Sequence, residues 1–371
     1  MAFNLTWSKG RFVQLVNFTP TKNDMRKKIG LTLVAISLLC SALMAQSGGE
    51  ATYSFLRLPV SARASALGGE AVGLWDNDAG LVLQCPSLMN ASTTKQLSLA
   101  YISYYADISY GSIGLVYDFG KLGTMAFGLS GINYGSFDAA DEVGNITGSF
   151  RASEYFANIS WARPINERFQ FGASFKPVYS ALESYVSYGF ALDMGTTYHS
   201  TDSLFAATLM FRNAGTQVKT YTGEREPLPS EVVAGVSLKM RHAPFRILAT
   251  FDQLQDMNVY FKRPEKNTDP FATGETTTKS QSAVERFGNE VLSHTTAGVE
   301  FNPLRGFYLR GGYSFRRRNE LKLVDRPAMV GFSWGFGLKI RRLMFNYARS
   351  NYHISGGSNV FSVTVNLGER R

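Results

Sequence analysis

The residues best suited to move a proton near neutral pH are the four histidines, His199, His242, His294 and His353. Each falls at or near a predicted strand end. No Ser, Cys or Asp stands at a motif spacing that would pair a nucleophile with one of them as its base. Asp76, Asn77 and Asp78 share their oxygen ligands with a calcium loop, yet the Gly and terminal Glu that such a loop requires do not follow. Capping a short helical turn is the better account of these three. The run Gly68-Gly69-Glu70-Ala71-Val72-Gly73 lacks the preceding strand of a nucleotide-binding turn. Cys85 has no partner after residue 45 and reads as a packed, unreactive thiol. The sequence therefore predicts no catalytic residue, no metal site and no cofactor. What remains are charges whose meaning depends on the elements that carry them: Asp118, Asp193, Glu300, Arg310 and Lys339, and the cluster Arg316-Arg317-Arg318.

Those elements are strands. From Gln96 onward fourteen segments show period-two character: 96–105, 108–119, 123–136, 150–163, 168–182, 186–199, 204–213, 230–240, 244–252, 294–301, 306–315, 329–340, 342–350 and 359–367. In one, Tyr155, Ala157, Ile159 and Trp161 alternate with Phe156, Asn158, Ser160 and Ala162. In another, Phe332, Trp334, Phe336 and Leu338 interleave with Ser333, Gly335, Gly337 and Lys339. The last places Phe361, Val363, Val365 and Leu367 opposite Ser362, Thr364 and Asn366. One face suits lipid and the other is small or polar.

A water-soluble sandwich also alternates, but the connections decide against it. Turns 120–122, 164–167, 200–203, 241–243, 302–305 and the break at Arg341 are short, whereas 137–149, 214–229, 253–293, 316–328 and 351–358 are longer. On the longer side only the breaks near Ala106 and Glu183 are short. Short turns on one parity and long loops on the other are the pattern of a transmembrane antiparallel β-barrel, with turns in the periplasm and loops outside. Closure also removes the edges of a fourteen-stranded sheet. On this alternation Asp118, Asp193, Glu300, Arg310 and Lys339 face the lumen, where they are expected to pair with each other and with whatever fills it. Glycines Gly128, Gly131 and Gly135 in the third segment are candidates for a wall kink.

The filling is expected from residues 46–95, the one long part of the chain that does not alternate. Small residues from Ser61 to Ala66 followed by Gly68 and Gly69 predict a short helix ended by glycines at positive φ. Asp76 to Ala79 should cap a second turn that Pro86 breaks. Ahead of this hatch, Met25-Arg26-Lys27-Lys28, the apolar run from Ile29 and the small-residue end at Ala45 form a secretory signal over 25–45, with residues 1–24 an over-extended start. Cys40 in the signal follows Leu38-Leu39, where lipidation wants a small residue. The formal charge of the whole chain is +9. Lys9, Arg11, Lys22, Arg26, Lys27 and Lys28 against Asp24 place over half of it before residue 29, which leaves no basic groove for nucleic acid.

The hatch also carries a resemblance. Phe55-Leu56, Leu58-Pro59, Ser61-Ala62-Arg63 and Leu67-Gly68-Gly69, with Asp78 and Pro86 downstream, resemble the N-terminal signature of the PorV/PorQ family, outer-membrane proteins with a fold like the FadL transporters. The Leu-Pro-x-Ser-Ala-Arg wording is closer to the PorQ branch. Gln84-Cys85-Pro86 departs from the family's usual Asn-Pro, so a local cap is expected to be missing. The resemblance implies an integral outer-membrane component of the type IX secretion system of Bacteroidota, without catalysis of its own. It implies a PorZ-like surface protein as partner, PorU- and PorV-like proteins in the same attachment complex, and contact with outer-membrane lipid and lipopolysaccharide. The long connections 253–293, 214–229 and 316–328 are where surface contacts are expected, with Arg316, Arg317 and Arg318 meeting either a partner or lipopolysaccharide phosphates. A transporter of hydrophobic small molecules, or a PorV-like cargo shuttle, are the alternatives that the same resemblance allows.

Overall fold

The computed structural model describes residues 6–8, 11–13, 51–256, 283–321, 329–353 and 356–368. The expected signal segment 25–45, Cys40 and most of the 253–293 connection lie outside the described residues. The chain divides into two compact units at Gln46/Ser47. In the first, β1 (Thr6–Ser8) and β2 (Arg11–Val13) form an antiparallel hairpin.

The second unit is a closed barrel of fourteen antiparallel strands. They are β3 (Gln96–Ser103), β4 (Ser109–Asp118), β5 (Thr124–Ala140), β6 (Ile146–Pro164), β7 (Phe169–Leu182), β8 (Tyr185–His199), β9 (Phe205–Lys219) and β10 (Glu231–Lys239). There follow β11 (Phe245–Phe251), β12 (Thr295–Leu304), β13 (Phe307–Ser314), β14 (Phe332–Ile340), β15 (Leu343–His353) and β16 (Gly356–Asn366). Each pairs with its sequence neighbours, and β16 closes the ring on β3 from Asn366↔Gln96 to Asn359↔Ser103. Closure leaves no edge, so every strand has two partners.

The alternation is carried through to burial. Ile113, Leu115 and Tyr117 on β4, Phe127 and Leu129 on β5, and Trp334, Phe336 and Leu338 on β14 are exposed, while Ser112, Asn158, Ser160 and Ser333 face inward and are buried. A girdle of exposed aromatic and aliphatic side chains around a closed barrel is a surface for lipid, not for water.

Four connections differ from expectation. Residues 137–149 are a loop only at the turn 141–145: β5 and β6 run on through Phe137↔Phe150 to Ala140↔Ile146 as a two-stranded ribbon beyond their other neighbours. Strand β9 continues to Lys219 past an irregularity at Asn213, whose φ is 58°. Two connections on the long side carry helices, α2 (Ala283–Ser293) and α3 (Phe315–Leu321).

Inside the barrel, residues 51–95 thread the lumen from the long-loop end, where the Thr52 N–H donates to the Pro227 carbonyl at 2.9 Å, to the short-turn end, where they enter β3. The hatch holds α1 (Ala62–Ala66) and several single turns. Ser61 caps α1, its Oγ accepting from the Ala64 N–H at 3.1 Å. Gly68 (φ 109°) and Gly69 (φ 100°) end it, with the Gly69 N–H donating to the Ala64 carbonyl at 2.9 Å. Asp78 caps the turn Ala79–Leu81. Pro86 is the first residue of a turn of its own, Pro86–Leu88, and not merely a breaker, since the first helical position needs no N–H. Cys85, at the cap of that turn, makes no capping bond.

Candidate functional site

A segment with so little regular structure carries many carbonyls that its own backbone cannot satisfy, and burying them unpaired is costly. The inward face of the barrel supplies the donors. Asn158 Nδ2 donates to the Leu83 carbonyl at 2.8 Å, Gln170 Nε2 to Met89 at 2.9 Å and Ser237 Oγ to Gly73 at 2.7 Å. On the far side Ser333 and Ser350 donate to Ala66 and Ser65, each at 3.1 Å. The polar lumen of the sequence pattern is thus the complement of the hatch backbone.

Charge fixes the hatch more firmly. Arg63 of α1 is buried and meets Glu300 of β12 through both Nε and Nη2, each at 3.0 Å, a bidentate pair. The same guanidinium reaches Asp76 at 2.7 Å and Asp78 at 3.1 Å. Arg246 of β11 donates to Asp76 at 2.6 Å, and Arg310 of β13 donates to Glu300 at 2.7 Å. Three guanidiniums therefore face three carboxylates, two on the hatch and one on the wall. Burial pushes the Asp76 carboxyl upward, but Arg63 and Arg246 outweigh it and hold it well below the usual carboxylate range. Arg63 is likewise disfavoured by burial, and Asp76, Glu300 and Asp78 together hold it charged.

A second lock lies nearer the long-loop end. Arg212 of β9 donates to Glu70 of the hatch at 2.7 Å and to Glu231 of β10 at 2.8 Å, and Arg57 approaches Glu231 at 3.3 Å. Backbone contact completes the fit. A Cβ at Gly235 of β10 would lie 1.9 Å from the Val72 carbonyl oxygen, so the hatch touches the wall main chain there. Phe55 and Leu56 are buried in the apolar packing beneath the long loops, with the Phe55 ring 5.6 Å from Phe156. Pro59, Ala62 and Leu67 are buried as well, and Leu58 is half-buried.

The charges singled out from the sequence separate into two groups. Glu300 and Arg310 sit in the hatch lock, and Asp193 is fully buried against Lys176 at 2.5 Å. Asp118 does not pair across the lumen: it lies at the short-turn rim, where its Oδ1 accepts from the Gly120 N–H at 3.0 Å. Lys339 is exposed at the same rim. The inward parity is right for both, but the strands end there and the lumen has opened. Arg316, Arg317 and Arg318 are a correction of another kind. They are half-buried on α3, not free at the surface: Arg316 meets Asp252 at 3.1 Å, Arg317 donates to the Gly68 carbonyl at 3.2 Å and Arg318 to the Val330 carbonyl at 3.4 Å. They hold the helix over the hatch. Of the three glycines expected to kink the wall, Gly135 (φ 88°) does lie at an irregularity of the β5–β6 pairing, between Asn133 and Ser136, whereas Gly128 and Gly131 mark none. Strands β4 and β5 pair without interruption from Asp118↔Thr124 to Ser109↔Asn133, and Gly128 instead makes room for the Leu83 side chain, 2.7 Å from where its Cβ would lie.

Arg246, Glu70, Arg212, Glu231 and Lys176 were not marked by the sequence pattern alone. Pairing distance could have found some of them. Glu300 and Arg310 are equidistant from a short turn and face each other in register, as do Arg246 and Glu300.

Between the hatch lock and the short turns lies a cavity of about 480 Å³. Its floor is the Arg63, Arg246, Arg310, Asp76, Asp78 and Glu300 cluster, and its mouth is formed by the turns that join β10 to β11, β12 to β13 and β14 to β15. Among the described residues, no group of three His, Cys, Asp or Glu is placed to hold a metal ion. His199 stacks on Trp75 with ring centroids 4.3 Å apart, and His294 is buried with Nδ1 2.7 Å from the Asp252 carbonyl, so these two serve in packing.

No family model and no curated protein matches the chain. Among solved structures it is similar to a deltaS2 mutant of the TodX monoaromatic hydrocarbon channel, with 14% identity and a TM-score of 0.50, over 83% of this chain and 98% of that one. The Ralstonia pickettii toluene transporter TbuX aligns at 12% identity and a TM-score of 0.48, over 84% and 99% of the two chains. A Pseudomonas aeruginosa FadL homologue aligns at 10% identity and 0.43, over 83% and 98%. The chain is a closed fourteen-stranded antiparallel barrel with the fold of FadL-like outer-membrane proteins.

Proposed function

We propose that this barrel is a non-catalytic scaffold of the outer membrane, a PorQ-like component of the type IX secretion system that holds a PorZ-like surface protein at its long-loop end. PorU- and PorV-like proteins would share the complex, and processing of cargo and its attachment to anionic lipopolysaccharide would belong to them. The observation that carries the scaffold reading is the fixed hatch: two buried ion-pair clusters, carbonyls bonded around the wall and a main-chain contact at Gly235 join it to the barrel. A plug held in this way favours a permanent support over a gate. The PorV/PorQ resemblance of residues 55–86 supplies the system and the partner. Deleting the protein from its host is expected to release the surface partner into the medium and leave cargo with its C-terminal signal. A deletion strain that retains the partner and processes cargo normally would remove this reading.

The second reading is a FadL-like transporter of hydrophobic small molecules, favoured by the fold shared with the TodX hydrocarbon channel. It requires the Arg63 cluster to open during each passage. Uptake of a hydrophobic probe into liposomes bearing the purified protein, above the rate of bare liposomes, would favour it. A PorV-like cargo shuttle differs from the scaffold in its partner, and isolation of cargo bound to the barrel would distinguish it.

A further inference from the structure

The cavity at the short-turn end carries a charge that the hatch does not use. On its floor Arg63, Arg246 and Arg310 are matched by Asp76, Asp78 and Glu300, and each guanidinium has a carboxylate within 3.1 Å. The mouth has no such balance. Lys239, Arg305, Lys339, Arg341 and Arg342 line it, all exposed, and none makes an ion pair with an acid among the described residues. Arg241, close by, is already engaged by Asp202 at 2.8 Å and does not line the cavity. Five cations without an acid partner among the described residues thus converge from three successive turns on one concavity, which focuses their field into the space they surround.

We propose that this vestibule binds a small organic phosphate. The charge calls for an oxyanion that can accept several donors at once, and Arg forks with Lys ammonium groups are the usual recognition set for phosphate. The volume of about 480 Å³ falls within the range of small-molecule sites and far exceeds a bare ion. Tyr308 and Met344, which share the inward parity of Arg310 and Asn346 on their strands, give the walls apolar surface for the organic part. The phosphate has two possible sources, a soluble compound of the periplasm or the headgroup of an anionic lipid in the adjoining leaflet. The site is independent of whether the other end of the barrel holds a protein partner.

The test is calorimetric titration of the full-length barrel, in nanodiscs of phosphatidylcholine, with sn-glycerol 3-phosphate and with glycerol as the uncharged control. Saturable binding of the phosphate alone is expected. The double variant Arg305→Gln/Arg342→Gln should weaken it about tenfold or more, as loss of two charge-assisted contacts implies. Lys121→Gln/Arg168→Gln, at exposed cations of the same rim away from the cavity, should leave it unchanged. Heat-modifiable migration on gels establishes that each variant is folded. Repeating the titration in discs containing phosphatidylglycerol separates the sources: suppression assigns the site to a lipid headgroup, and unchanged binding assigns it to a soluble phosphate. Absence of saturable binding at millimolar phosphate would overturn the proposal, as would equal loss in the two double variants, which would mark a diffuse rim charge.

Discussion

At the scale of single residues, Arg63 bears the largest share of what holds the hatch. Arg63→Ala would strand Glu300, Asp76 and Asp78 in a buried site with only Arg246 and Arg310 left to match them. Breaking a buried pair from one side costs about 3–5 kcal/mol, so the urea midpoint of the purified barrel should fall clearly and proteolysis of the hatch should quicken. An unchanged midpoint would mean that the cluster is ornamental. The pH dependence has a definite sign. Because the folded Asp76 carboxyl lies below its unfolded value of about 3.9, its contribution is fully present above that pH and is lost as pH falls below it. Stability should therefore be flat in this respect from pH 7 to 5 and decline under stronger acid, and Asp76→Asn should lose the acid-sensitive portion. The sequence placed Glu300 and Arg310 on the inward face because their strands alternate cleanly. It could not place Asp76 opposite Arg246, since 170 residues separate them and only the closed ring brings them together.

At the scale of elements, the contact of the hatch with β10 is a matter of main-chain clearance. Gly235→Ala puts a methyl where the Val72 carbonyl lies, and neither side is a flexible side chain that can yield. The folded, heat-modifiable species should be largely lost, whereas Gly111→Ala on β4, where nothing lies within 4 Å, should assemble normally. Equal assembly of both variants would show that the hatch is loosely seated. Element boundaries were legible where one face meets lipid. They failed at the β5–β6 ribbon because Val143 and Ile146 at its tip, like most of its residues, are exposed on both faces, so no alternation marks it as strand. They failed again on β9 because the irregularity at Asn213 shifts the register, which reverses inward and outward for the residues beyond. The arginines of α3 were misread for a related reason: a basic run in a connection gives no sign of the helix that turns it toward Asp252 and Gly68.

At the scale of the whole molecule, closure and filling act together. The ring of strands leaves no free edge, the girdle of exposed apolar side chains meets the bilayer, and the hatch replaces water in the lumen with matched donors and charges. The barrel class, strand number and order of short and long connections could be read from the sequence, since each follows from local periodicity and turn length. The vestibule could not, because its five cations come from turns far apart in sequence that share one mouth only after the barrel closes. In planar bilayers the intact protein should carry no steady current. The most direct test of the scaffold account is to isolate the protein with its native outer-membrane neighbours in mild detergent and identify by mass spectrometry what accompanies it. The account predicts stoichiometric recovery of a large surface protein together with a protease of the attachment complex. Recovery of the barrel alone, with a fatty acid or other apolar molecule bound inside it, would contradict the scaffold and establish transport in its place.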